Sequence, residues 1–310
     1  MRIEVSAPSN IALIKYMGKT STSGNLPSNA SFSYTLEHLR SHVVIEEAKN
    51  DQWAPLAGYM PIELSDLGRS KFMNHFSKLK TAWEIQGNFR LLSANDFPSD
   101  CGLASSASSF AALTLAAYEL ARAQRSEFKL SSRELSKWSR QGSGSSCRSF
   151  FSPWAVWQDD GAEELALDLK LDHAVVIVEG AVKAVSSSQA HVRVPSSLLF
   201  EGRTERADQR MQRLISALKT SQWAEAFELC WAEFWDMHAL FETSQPSFGY
   251  MQPTSLLVLQ KLKNIWRETG DGPLVTMDAG PNIHLLLRAD QRAAADQWLD
   301  GFKIIKSWKN

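Results

Sequence analysis

The sequence predicts an α+β protein of two domains, and three observations carry that expectation. The chain has 310 residues, about twice the length of an average domain. Short β-branched runs are interspersed with longer segments of helical period, without the strict strand–helix alternation of a parallel Rossmann sheet. A Ser-rich, Pro-containing stretch from about Ser186 to Arg203 precedes a part dominated by helices. The expected domains are 1–185 and 186–310.

The elements follow in order. Strands are expected where short runs alternate or are rich in β-branched residues: Arg2 to Ser6, His42 to Glu46, Asn88 to Leu92, Ala174 to Val178, Leu274 to Met277 and His284 to Arg288. Helices are expected where apolar residues recur at helical spacing: Ser70 to Ile85, Leu103 to Ala123, Ser132 to Ser139, Arg206 to Lys219, Trp223 to Phe241, Ser255 to Thr269 and Gln291 to Phe302. A strand pair near the C-terminus closes the second half.

Composition narrows the functional classes. Lys and Arg number 33 against 34 Asp and Glu, a net charge of -1, which gives no general drive toward nucleic acid or anionic membrane. With 44% hydrophobic and 22% charged residues the chain has the make-up of an ordinary soluble globular protein. Three widely spaced cysteines without a CxxC pair argue against a disulfide framework and a structural zinc site, and favour a reducing cytoplasm. The N-terminus shows no signal-peptide pattern. The apolar stretch Phe110 to Tyr118 is followed by Glu119 and is too short to span a bilayer. The eleven tryptophans are read as core and interface filling.

Four segments carry candidate chemistry. In Asp96 to Ser109, a Pro/Gly turn leads through small residues into an apolar helix. Gly102 permits a tight turn, and the first-turn N–H groups with the hydroxyls of Ser105 and Ser106 suit a phosphate. The alternative is a serine-rich helix start that packs closely on a neighbour. No GK[ST] follows, so this is not a Walker loop. In Arg140 to Ser149, two glycines and several hydroxyls lie between arginines, which fits either an anion-binding concavity or a surface loop. In Ser6 to Lys19, Lys15 follows an apolar run and Lys19 comes four residues on. They are either buried anion partners or solvated strand-edge lysines. In Thr276 to Asn282, Asp278 ends a strand before an Ala-Gly-Pro-Asn turn, as a turn former or a catalytic carboxylate.

Taken together and in this order, these segments resemble the signatures of the GHMP kinase superfamily, and more closely those of its mevalonate diphosphate decarboxylase branch. The resemblance rests on Asn10-Ile-Ala-Leu-Ile-Lys15-Tyr-Met-Gly-Lys19, on Leu26-Pro-Ser-Asn-Ala-Ser31-Phe-Ser33-Tyr-Thr35-Leu36, on Gly102-Leu-Ala-Ser-Ser-Ala-Ser108, on Arg140 to Ser149 and on Met277-Asp-Ala-Gly-Pro-Asn282. It spans nearly the whole chain. The glycine-serine helix start is common to many GHMP kinases, whereas the Ile-Lys-Tyr, Gly-Ser-Gly-Ser and Asp-Ala-Gly-Pro-Asn elements are much more specific to the decarboxylases.

The resemblance implies a GHMP-kinase-like fold, with an N-terminal two-layer α/β domain, a C-terminal ferredoxin-like α+β domain and a cytoplasmic homodimer. It implies that ATP phosphorylates the tertiary 3-hydroxyl of mevalonate 5-diphosphate, after which phosphate and CO2 leave to give isopentenyl diphosphate. The alternatives are a decarboxylase with the same chemistry on the 5-monophosphate and, disfavoured by the retained Asp278, Lys15 and Arg148, a mevalonate 3-kinase or a non-catalytic ATP-binding homologue. By the resemblance, Asp278 would act on the 3-hydroxyl with Lys15 beside it. Arg148 would hold the C1 carboxylate, braced by Asn10. Gly102, Leu103, Ala104, Ser105, Ser106 and Ser108 would hold the ATP phosphates. Mg2+ would arrive with ATP, near Ser106, with no fixed protein ligand. Tyr16, Met17, Gly18, Lys19, Ser143, Gly144, Ser145, Ser146 and Cys147 would bind the substrate side, with Arg193 in support.

General chemistry agrees with those roles. Phosphoryl transfer needs mainly positioning and charge neutralisation, and holding the reactants in line removes up to ~7–11 kcal/mol of barrier. A carboxylate beside Lys15 has its pKa lowered, so Asp278 is expected to take the proton late or chiefly to orient the hydroxyl. Arg148 fixes the leaving carboxylate while its charge opposes the cation developing at C3, which a dry pocket would favour. Three departures from the family pattern stand out: Met17 in place of tryptophan, Asp100 and Cys101 in place of small residues, and Ser187 to His191 in place of a Ser-x-x-Gly-Met-type stretch.

Overall fold

The computed structural model describes residues 1–21, 24–60, 64–98, 105–178 and 185–309. The chain divides into two compact units. The first comprises Met1–Asn10, Thr20–Leu26 and Tyr34–Leu165; the second comprises Ile11–Lys19, Pro27–Ser33 and Ala166–Asn310.

The first unit is a sheet covered by helices. Its strands are β1 (Arg2–Ile14), β2 (Ser31–Glu47), β3 (Gln52–Pro55), β4 (Phe89–Asn95), β5 (Trp154–Gln158) and β6 (Gly161–Glu164), where the ends of β1 and β2 belong to the second unit. The order is β3-β4-β2-β5-β6, with β1 also paired to β2. β2 and β4 are antiparallel from Ser41↔Asn95 to Glu47↔Phe89, and β3 runs parallel to β4. Strand β1 is longer than the expected Arg2 to Ser6, because from Ala7 onward every residue is buried and no alternation betrays the strand.

Three helices pack on this sheet: α1 (Asp66–Ala82), α2 (Ser105–Gln124) and α3 (Ser132–Gly142). Helix α1 buries Phe72, His75, Phe76 and Leu79, the i, i+3, i+4, i+7 stripe of an amphipathic helix. Helix α2 presents Ala107, Ala111, Ala112, Ala116 and Ala117 to the core, small residues that allow close approach. Helix α3 begins with a capping box between Ser131 and Glu134. It ends at Gly142, where a Cβ would stand 2.2 Å from Phe110 and 2.9 Å from His75, so only glycine fits. A 3₁₀ helix, Gly144–Phe150, follows at once.

The second unit contains β7 (Asp172–Val176), α4 (Ser187–Arg193), α5 (Arg203–Lys219), α6 (Trp223–Glu242), α7 (Pro253–Thr269), β8 (Leu274–Thr276), β9 (Ile283–Leu287), α8 (Arg292–Trp298) and β10 (Ile304–Lys306). Its sheet order is β10-β7-β9-β8, with every pair antiparallel. Numbered from β7, that is the 4-1-3-2 order of the ferredoxin-like fold. β7 lies inside this sheet, so the second unit takes up the chain from Ala166, ahead of the composition change at Ser186. That change marks the capping box of α4, formed by Ser186 and Gln189. The C-terminal helix, expected over Gln291 to Phe302, is the shorter α8 preceded by a 3₁₀ turn at Ala289–Gln291.

Candidate functional site

In the first unit, the extension of β1 carries Asn10 into the core, at 1% exposure, facing the 3₁₀ helix Gly144–Phe150. Asn10 Nδ2 donates to the Ser145 carbonyl at 3.1 Å and to Ser149 Oγ at 2.8 Å. Its Oδ1 accepts from Arg148 Nε at 3.2 Å. The guanidinium lies 5.8 Å from the centre of the Trp157 ring. A buried arginine gripped at Nε and laid against an aromatic face is fixed in direction, which suits a planar carboxylate. The short helix is tied back to α3 by Ser139 Oγ···Ser146 Oγ at 2.6 Å, and within it Cys147 Sγ donates to the Gly144 carbonyl at 3.1 Å. Burial pushes the Cys147 thiol up to about 12, which leaves it protonated and unreactive.

Gly102, Leu103 and Ala104, together with Asp100 and Cys101, lie outside the described residues. Ser105 and Ser106 are described, in α2, and Ser106 is exposed. The Ser143 hydroxyl donates to Ser106 Oγ at 3.4 Å, so two hydroxyl-bearing segments meet there. That donor set fits phosphate oxygens or a hydrated Mg2+. Ser108 is placed differently. It is fully buried, 2.6 Å from Ser41 Oγ and bonded to the Ser105 carbonyl, so it ties α2 to β2. Arg140 donates to the carbonyls of Asp160 and Gly24 and anchors two loops.

In the second unit, Lys15 follows the end of β1 and is buried at 2% exposure. Its Nζ meets Asp278 Oδ1 at 2.7 Å, and Asp278 keeps 28% exposure. Asp278 lies just past β8, in a tight turn closed by Gly280 N–H donating to the Asp278 carbonyl at 2.8 Å. The Lys15 main chain is clamped by side chains. Its N–H donates to Glu233 Oε1 at 2.9 Å, and its carbonyl accepts from Asn29 Nδ2 at 2.9 Å and from Arg203 at 3.2 Å. Glu233 and Arg203 form a buried bidentate pair. Burial alone would lower the Arg203 pKa and raise that of Asp236. The carboxylates beside Arg203 keep it raised, and hydrogen bonds from Arg206 and Arg210 hold Asp236 down to about 2.

Two buried histidines adjoin these residues. His238 Nε2 lies 3.2 Å from the Asp278 carbonyl. Burial first, then the charge of Lys15, lowers its pKa to about 4, so it is neutral at pH 7 with its proton on the nitrogen that faces that carbonyl. His191 Nδ1 accepts the Gly18 N–H at 3.1 Å and its ring lies 4.1 Å from that of Tyr16. Burial and Lys19 lower its pKa to about 3. Gly18 has φ +101°, and a Cβ there would stand 2.5 Å from Ser28 Oγ. Met17 is packed in an apolar cluster with Val194, Met237, Phe241 and Tyr250. Lys19 and Arg193 are half-buried, and the Arg193 guanidinium sits 5.1 Å from the Phe248 ring centre.

Sequence reasoning missed Glu233, Arg203, Asn29 and His238. The first had a readable signal. Glu233 falls on the buried stripe Ala226, Cys230, Glu233, Met237, Leu240, and a carboxylate at such a position requires a cation. Arg203 precedes the start expected for its helix, although it falls on the buried stripe Arg203, Ala207, Met211, Leu214 and Leu218.

The chain belongs to the diphosphomevalonate decarboxylase family: residues 7–167 match the diphosphomevalonate decarboxylase-like N-terminal domain, and residues 173–307 match the mevalonate 5-diphosphate decarboxylase C-terminal domain. The two-unit α+β architecture is the GHMP-like fold of that family. The chain is similar to a mevalonate diphosphate decarboxylase from Legionella pneumophila, at 42% identity over 98% of this chain and 100% of that one, with a TM-score of 0.92. It is 31% identical to diphosphomevalonate decarboxylase mvd1 of Aspergillus fumigatus, over 91% of this chain and 75% of that protein. A third similar protein is MDDEF in complex with MVAPP, AMPPCP and magnesium, at 27% identity over 99% of this chain and 96% of that one, with a TM-score of 0.88.

Proposed function

We propose that the chain catalyses the ATP-dependent decarboxylation of mevalonate 5-diphosphate to isopentenyl diphosphate, a step of isoprenoid biosynthesis by the mevalonate pathway. The 3-hydroxyl is phosphorylated by ATP; the new phosphate and CO2 then leave. Family membership supports the reaction, and the side-chain geometry supports a division of labour. In the second unit Asp278 orients the 3-hydroxyl and receives its proton as the phosphoryl group arrives, while Lys15 neutralises charge on that group. In the first unit Arg148, aimed by Asn10, holds the C1 carboxylate until the C1–C2 electron pair moves to form the C2=C3 double bond as the 3-phosphate leaves with the C3–O pair, and Ser105, Ser106 and Ser143 bind phosphate oxygens. Mg2+ supplies charge neutralisation on the triphosphate. Tyr16 and Lys19, with Gly18 and Ser145, take the 5-diphosphate, while Ser146 and Cys147 are fully buried and brace the segment from behind. The reading also includes a cytoplasmic homodimer, which sedimentation of the purified protein checks.

The observation that carries this reading is the 2.7 Å contact of a buried lysine with a carboxylate that keeps access to solvent, the pairing a phosphoryl acceptor needs. Asp278→Asn tests it. Turnover, followed as CO2 and inorganic phosphate from mevalonate 5-diphosphate and, separately, from the 5-monophosphate, is expected to fall at least a thousandfold with ATP affinity unchanged; near-normal turnover sinks the assignment.

A further inference from the structure

Helix α6 reaches both members of the Lys15–Asp278 pair through their main chains. Glu233 accepts the Lys15 N–H, and His238, five residues on and about 7.5 Å along the axis, faces the Asp278 carbonyl. The first contact has a plain structural reason. Lys15 stands just beyond the last residue of β1, where the strand no longer supplies partners for a buried peptide group.

The second contact is harder to explain as packing. His238 is surrounded by the rings of Phe234, Phe241 and Tyr250. Its Nδ1 is buried and has no hydrogen-bond partner among the described residues. A leucine or phenylalanine would fill such a place without that penalty. What histidine adds is one directed N–H at Nε2, and that N–H meets the carbonyl of Asp278 at 3.2 Å. The carbonyl also accepts the Gly280 N–H, so it is held from two sides at the tight turn that aims the carboxylate.

We infer that His238 is a positioning residue for the reaction: through Nε2–H it fixes the Asp278 turn, and so the direction of the Asp278 carboxylate, from the same helix that fixes Lys15. The inference rests on the reading that Lys15 and Asp278 act on the 3-hydroxyl. His238 does not itself touch the reacting atoms, and its effect belongs to kcat rather than to substrate binding.

The test compares three variants in the full-length enzyme with mevalonate 5-diphosphate, ATP and Mg2+. His238→Phe keeps an aromatic ring and removes the donor. It is expected to lower kcat about ten- to hundredfold, with KM for both substrates within about twofold. His238→Gln places an amide N–H near the Nε2 position and is expected to restore most of kcat. An unchanged kcat in His238→Phe, or a loss of the same size in His238→Gln, overturns the inference. Should His238→Phe fail to fold by circular dichroism, Gln is compared with Asn, whose amide takes the place of Nδ1. Higher kcat in Gln supports the role, and equal kcat overturns it. Asp278→Asn, assayed alongside, separates the levels. An inactive Asp278→Asn with a normal His238→Phe removes the inference alone, whereas an active Asp278→Asn removes the underlying reading as well.

Discussion

Replacing Asn10 by alanine deletes a single small side chain and three hydrogen bonds at once. The bond from the charged Arg148 Nε at 3.2 Å is worth about 1.5–3 kcal/mol, and the bonds to Ser145 and Ser149 about 1 kcal/mol each, so the loss comes to about 3–5 kcal/mol. At about 2–4 °C per kcal/mol, the melting temperature should fall by roughly 6–20 °C, which leaves folded enzyme to assay at 25 °C. Its kcat/KM for mevalonate 5-diphosphate should fall about a hundredfold, since a guanidinium displaced by even 1 Å no longer meets the carboxylate. ATP affinity should not change. Thermal denaturation and steady-state kinetics on one preparation read both effects. A variant that melts lower as calculated yet keeps wild-type kcat/KM would show that Asn10 only holds the 3₁₀ helix, and the assignment of Arg148 to the carboxylate would lose its support.

Two further outcomes concern stability. Gly142→Ala should cost about 2–4 kcal/mol, because the new methyl stands 2.2 Å from Phe110 and 2.9 Å from His75 in a packed core; a melting temperature within 2 °C of wild type would refute the packing argument. His75, His191 and His238 have folded pKa values lowered by burial to about 3, 3 and 4. Below pH 6.5 the unfolded chain therefore binds more protons than the folded one. Their contribution to stability is complete above pH 6.5 and is lost as pH falls from there toward about 3, at up to ~4 kcal/mol per pH unit near pH 5 if all three stay neutral. Denaturant midpoints measured from pH 7.5 to 5 check the sign, and a midpoint that rises on acidification would contradict it.

The elements legible in the sequence are helices with an apolar stripe and short runs of β-branched or apolar residues. Helix α1 shows its stripe, and the Ala174–Val178 run overlaps β7, which is buried on both faces. The second half of β1 is buried on both faces and interrupted by Pro8, Ser9 and Asn10, so it shows no period and the strand was expected to stop at Ser6. Motif residues were legible for a different reason: Lys15, Asp278, Asn10 and Arg148 belong to short segments whose order along the chain is itself informative. Two pairings within the units match that reading, Lys15 with Asp278 and Asn10 with Arg148. The supports behind them were less legible. Glu233 is marked only by its place on the buried stripe of α6, and Arg203 and His238 belong to no local motif, since what they hold is main chain contributed from far away in sequence.

The interleaving of early segments into the second unit bears on how the protein is made. Ile11, Leu13 and Ile14 are fully buried, and the Ala12 carbonyl accepts from Thr276 Oγ1 at 3.2 Å, so this stretch completes its contacts only with a segment about 260 residues downstream. At about 5–20 residues per second of synthesis, an apolar strand spends roughly 15–50 s outside the ribosome before its partner exists. Chaperone binding to the nascent chain is expected to concentrate on residues 11–14. Severing the gene near codon 166 would yield a C-terminal fragment that lacks the lysine its own aspartate requires.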